Sequence, residues 1–97
     1  MMLARVVGSV VSTRKAEKLV GRKLLVIEPV DFVAQKTDGK PLVAVDSVGA
    51  GEGEIVLVVQ GSSARLTETT QDTPVDATIM GIVDYLEVGG KRTFAKS

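Results

Sequence analysis

Residues 43–65, VAVDSVGAGEGEIVLVVQGSSAR, restrict this chain more than any other segment does. A short apolar run, residues 43–45, leads into Asp46-Ser47-Val48-Gly49-Ala50-Gly51-Glu52-Gly53, a loop with glycine at three alternate positions. Ile55-Val56-Leu57-Val58-Val59 follows as an unbroken β-branched and leucine run, and Gly61-Ser62-Ser63-Ala64-Arg65 closes the segment. The pattern predicts strand, glycine loop, strand and polar corner. Glycine at every second position suits a backbone that takes positive φ repeatedly or lies close to another chain, because no Cβ intervenes.

Three chemistries compete for such a loop. A dinucleotide fingerprint requires a further glycine where Glu54 stands, followed by a helix whose N-terminus faces the pyrophosphate. The residues that follow Glu54 are strand-forming instead, so no helix N-terminus meets an anion there. A phosphate loop requires Gly-Lys-Ser/Thr, and Glu52 and Glu54 would repel the phosphate. The reading that survives is a turn packed against a neighbouring subunit. Asp46 and Glu54 flank the loop as two carboxylates, the pairing a glycosidase uses, but no aromatic or polar substrate contacts surround them. Accepting loop amide hydrogen bonds, or pairing with Arg65, accounts for them better.

The rest of the chain reads as short strands and turns. Residues 3–13 form a first strand, with Gly8 marking a bulge or barrel corner. Residues 14–18 form a charged, solvated link. Residues 23–30 form a second strand whose two alternate sets, Leu24/Val26/Val30 and Leu25/Ile27, are both apolar, so both faces need a cover. Thr37-Asp38-Gly39-Lys40 signals a turn in an exposed hairpin to the third strand, residues 43–46, with Phe32 and Val33 placed to pack back on the barrel edge. Residues 54–60 are the fourth strand. Ser62 and Ser63 cap a short turn, and residues 66–73 read as a surface loop. Thr73-Pro74-Val75-Asp76 is a helix-start signature for a single turn. Residues 79–88 form the fifth strand, broken by Gly81. Gly89-Gly90 turns the chain into a terminal strand, residues 92–95, which completes a hairpin or lies on a neighbour. The expected fold is mainly β: one domain over residues 1–97, a five-stranded OB-like antiparallel barrel with one short helix and a C-terminal hairpin or strand.

Ninety-seven residues of which 44% are hydrophobic but only three aromatic spread their apolar content over Val, Leu, Ile and Ala. A domain this small buries roughly 65% of its unfolded surface, so surplus aliphatic side chains point to other subunits or to a tightly packed monomeric barrel. Twelve basic and twelve acidic residues balance, leaving no electrostatic footprint for nucleic acid or an anionic membrane. A single-strand binder stacks bases on aromatics in a basic groove, and Phe32, Tyr85 and Phe94 are scattered. The chain has no histidine and no cysteine, which removes the usual serine activation, thiolate catalysis and cysteine zinc sites. No enzyme activity and no cofactor are expected. No apolar run reaches the ~20 residues a spanning helix needs, and residues 1–5 lack a signal-peptide pattern, so a cytoplasmic protein is expected.

The ordered motifs resemble the EutN/CcmL family of bacterial microcompartment vertex proteins. They are Leu3-Ala4-Arg5-Val6-Val7-Gly8-Ser9-Val10-Val11-Ser12-Thr13, Leu19-Val20-Gly21-Arg22-Lys23-Leu24-Leu25-Val26, Ala44-Val45-Asp46-Ser47-Val48-Gly49-Ala50-Gly51 with Gly53-Glu54, Gly61-Ser62-Ser63-Ala64-Arg65, and Asp76 with Gly81-Ile82-Val83-Asp84. The resemblance runs from Leu3 to about Val88. It implies the same small barrel, a closed pentameric ring at the vertex of a carboxysome or metabolosome shell, and hexameric shell proteins as neighbours. On this reading Asp46, Gly49, Ala50, Gly51, Gly53, Glu54, Ser62, Ser63 and Arg65 lie at the subunit interface or central pore. The alternative is an OB-like module for single-stranded nucleic acid or a small ligand.

Overall fold

The computed structural model describes residues 1–11, 23–34, 36–61 and 76–95. Among the described residues eight strands follow in order: β1 (Met2–Val10), β2 (Lys23–Asp31), β3 (Lys36–Thr37), β4 (Leu42–Asp46), β5 (Ile55–Gln60), β6 (Ala77–Ile82), β7 (Tyr85–Val88) and β8 (Lys91–Ala95). The sheet runs β1-β5-β6-β4-β2, and a further pairing between β1 and β2 joins its ends into a five-stranded barrel. Every ladder around this barrel is antiparallel except β4 with β6, which is parallel. Closure removes the open edges that a sheet this apolar would otherwise present.

Small aliphatic side chains fill the barrel. Ala4 and Val6, Leu25 and Ile27, Ala44, Val56 and Val58, Ala77 and Ile79 meet in one buried cluster, and no aromatic ring is among them. Bulges adjust the alternation. The register of β1 against β2 shifts between Val6 and Gly8, leaving Val7 as the extra residue, beside the glycine that signals the corner. In β6, Leu57 pairs Gly81 and Val58 pairs Ile79, so Met80 is the extra residue. It is exposed, and Ile82 returns to the core side.

A second apolar layer covers one outer face. Ile55 and Leu57 of β5 and Leu3 of β1 pack with Phe32, Val83, Leu86 and Phe94. Part of this cover is the chain's own C-terminal hairpin, β7–β8, a separate two-stranded sheet, so the same chain supplies a partner for the outer face of β5. The strand expected over residues 79–88 is two strands: it begins at Ala77 and breaks at Val83-Asp84, where the Val83 amide donates to the Ile55 carbonyl at 2.8 Å. The link between β2 and β4 also differs from a simple Asp-Gly hairpin. The chain turns at Phe32–Ala34, with Asp31 Oδ1 accepting from the Val33 and Ala34 amides at 2.9 and 3.0 Å, and β3 folds back on β2 before Gly39 bends at φ 122°. Phe32 is buried there while Val33 is exposed. The single helical turn expected from Thr73 and the cap at Ser62 and Ser63 lie outside the described residues.

Candidate functional site at the glycine loop

The glycine loop lies across one end of the barrel and is tied down on three sides. On the first, the parallel ladder of β4 and β6 ends at Asp46 opposite Ile79, and both the Ser47 amide and the Ser47 hydroxyl donate to the Ile79 carbonyl. On the second, the Gly53 amide donates to the Val6 carbonyl at 2.8 Å and the Val6 amide donates to the Glu54 carbonyl at 2.9 Å. On the third, Lys23 Nζ donates to the Ala50 carbonyl at 2.6 Å. Ala50 itself has no exposed surface and belongs to the core cluster, so the loop plugs the barrel end with a methyl group.

The two acidic residues organise the loop from inside. Asp46 Oδ1 accepts from the Val48 amide at 3.0 Å and the Gly49 amide at 3.1 Å, a side-chain turn typical of aspartate. Its other oxygen lies 3.7 Å from Lys23 Nζ. The Asp46 carboxylate is almost wholly buried whereas Lys23 is half exposed, so the ion pair adds little beyond the amide bonds. Glu54 Oε1 accepts from the Gly51 amide at 2.7 Å, and the Glu54 amide donates back to the Gly51 carbonyl at 3.2 Å. Both carboxylates therefore hold their own backbone, and neither is arranged as half of an acid–base pair.

The three glycines divide by geometry. Gly49 and Gly53 have φ of 80° and 90°, where a side chain would strain the backbone. Gly51 does not share that conformation, and among the described residues a Cβ there would meet only Glu54 Oε1, at 3.5 Å. Ser62, Ser63 and Arg65 lie outside the described residues. Sequence reasoning missed Lys23, which stands 27 residues from the carbonyl it holds and carries no local signal for that role. It also missed a groove of about 340 Å³ between the loop and the hairpin, bordered by Glu52, Glu54, Phe94 and Ala95. Packing of the C-terminal hairpin against β5 brings those residues together.

Comparison with known proteins places this geometry. The family model for "Ethanolamine utilisation protein EutN/carboxysome" matches residues 1–84. The bacterial microcompartment shell vertex protein EutN of Salmonella typhimurium is 46% identical over 96 residues, covering 99% of this chain and 96% of the relative. The solved structure of Gloeobacter violaceus CcmL superposes with a TM-score of 0.91 at 38% identity, covering 99% of this chain and 98% of that one. GrpN, a pentameric microcompartment shell protein from Rhodospirillum rubrum, superposes with a TM-score of 0.80 at 48% identity, covering 91% and 99% respectively. With the barrel, the loop across its end and these matches over nearly the whole length, the chain belongs to the EutN/CcmL family.

Proposed function

We propose that this chain is a structural subunit that assembles into a closed pentameric ring and caps the vertices of a bacterial microcompartment shell in the cytoplasm. The observation that carries the reading is near full-length similarity to shell vertex proteins, among them a pentameric one at 48% identity. Such a role asks for shape rather than chemistry: a head-to-tail contact whose rotation closes makes a ring, and each subunit then needs two different surfaces. One is the glycine loop, where Gly49, Gly51 and Gly53 let neighbouring backbones converge near the axis while Asp46, Ala50 and Glu54 hold the loop's shape from within. Ser62, Ser63 and Arg65 bond across the seam in this proposal. The other is the outer face where Val26 pairs with Val43, which is 49% exposed, beside the bulged Val7. Hexameric shell proteins are the neighbours outside the ring, since flat six-fold tiling closes only with five-fold positions.

The test of the ring is native mass spectrometry of the full chain over a concentration series. A persistent pentamer is expected; a monomer at every concentration would overturn the shell reading, and a hexamer would overturn the five-fold position. The hexamer partners are tested by co-expressing shell tiles with and without this chain. Electron microscopy should show closed polyhedra only with it, and equally closed shells without it would refute vertex capping.

A further inference from the structure

A second groove, of about 290 Å³, shares Phe94 with the first and is lined by Arg5, Phe32, Lys36, Thr37, Thr93 and Phe94 among others. Its chemistry follows from a bulge. In the β7–β8 hairpin Leu86 pairs Phe94 and Glu87 pairs Arg92, so Thr93 is the extra residue and turns inward together with its neighbour Phe94. Among the described residues, Thr93 Oγ1 is the buried side-chain oxygen left without a hydrogen-bond partner. A buried hydroxyl in that state calls for a group to bond.

The groove's charges are equally unspent. Arg5 stands opposite Glu28 in the β1–β2 ladder, and Lys36 opposite Asp31, yet neither cation has a carboxylate within ion-pairing distance among the described residues. Glu28 instead accepts the Thr37 hydroxyl at 3.0 Å, and Asp31 caps the turn after β2. With the Thr37 proton engaged, the free donors are Arg5, Lys36 and Thr93. The same lining holds an apolar wall, the edge-to-face pair Phe32 and Phe94, with ring centroids 5.8 Å apart. A guanidinium fork beside an ammonium and a hydroxyl matches a carboxylate. The aromatic wall then takes an aliphatic tail. The volume lies at or below the low end for drug-sized ligand sites, which limits that tail to a few carbons.

We propose that this groove is a binding site for a free short-chain monocarboxylic acid, its carboxylate on Arg5, Lys36 and the Thr93 hydroxyl and its tail against Phe32 and Phe94. The family model ends at residue 84, before the hairpin that supplies Thr93 and Phe94, and nothing in the ring reading requires the site.

The test is an NMR titration of the assembled full-length protein with butyrate at constant ionic strength, with butyramide, inorganic phosphate and a blocked glutamate (acetylated, amidated) as competitors. Expected are saturable shifts at the Lys36, Thr93 and Phe94 amides, with butyramide about tenfold weaker because it lacks the charge. Thr93→Val and Arg5→Gln should each weaken butyrate several-fold with the pentamer intact; Lys36→Gln, on an exposed two-residue strand, serves should either variant fail to fold. Butyramide equal to butyrate would overturn the carboxylate assignment. Phosphate binding as tightly would overturn the role of the aromatic wall, and a blocked glutamate displacing butyrate would overturn the free-acid assignment. No saturable shift in the assembled protein would overturn the site altogether.

Discussion

Gly51 separates two reasons for placing glycine in a loop. At Gly49 and Gly53 the backbone demands it, so alanine at either should cost about 1–2 kcal/mol of folding stability, measured by denaturant unfolding. At Gly51 nothing within the described chain demands it. Gly51→Val should therefore leave the barrel folded, with an unchanged circular dichroism spectrum, but break the ring in native mass spectrometry. An intact ring would show that this position faces no crowded contact. Asp46 yields a paired prediction. Asp46→Ala leaves the Val48 and Gly49 amides unbonded and should cost about 1–3 kcal/mol. Asp46→Asn keeps an acceptor and loses only the pairing with half-exposed Lys23, so its cost should stay below about 1 kcal/mol. Equal losses in the two variants would show that the charge, not the turn, matters. The amide-holding role of Asp46 and Glu54 was legible in the sequence, because carboxylates flanking a glycine loop have few other partners. The lysine that holds Ala50 was not, since its partner is a backbone carbonyl brought close only by folding.

Among elements, β5 shows how much a period of two reveals and where it stops. Its unbroken apolar run says that both faces are covered, and they are: Val56 and Val58 inside the barrel, Ile55 and Leu57 outside it. Part of the cover was expected: Phe32 was placed to pack back on the barrel edge, and it does, and residues 92–95 were read as a terminal strand that completes a hairpin or lies on a neighbour, and they complete the hairpin. What the pattern did not show is that this hairpin lies over β5, with its first strand, β7, drawn from residues that read as the end of one long strand. The break at Val83-Asp84 was hidden because apolar residues stand on both sides of it, Ile82 before and Tyr85 and Leu86 after. The two layers should respond differently to truncation. Ile79→Ala opens a cavity in a fully buried site and should cost about 2–5 kcal/mol. Phe94→Ala removes a ring that is itself only partly buried from a layer outside the barrel, and it should cost less while raising binding of a hydrophobic dye. A larger loss at Phe94 than at Ile79 would mean that the hairpin, not the barrel, is the stability centre.

For the whole molecule, the aliphatic surplus divides into a part the chain buries itself and a part it leaves outside. Val43 and Met80 remain about half exposed, and Val7 and Val48 somewhat less. Val43→Glu puts a charge on the pair with Val26, so it should dissociate the proposed ring into folded monomers at micromolar concentration, read by analytical ultracentrifugation. A pentamer surviving that change would move the seam to another face. The sequence by itself determined a mainly β domain, the strand-loop-strand order around Gly49 to Gly53, the bulge at Gly8 and the family, because alternation, glycine spacing and motif order are local properties of the chain. Tertiary structure alone decided that β4 meets β6 in parallel, that Ala50 plugs the barrel end, and that Thr93 and Phe94 turn inward beside Arg5. Each of these depends on which distant strands become neighbours when the sheet closes, and a period of two is the same whichever neighbour a strand acquires.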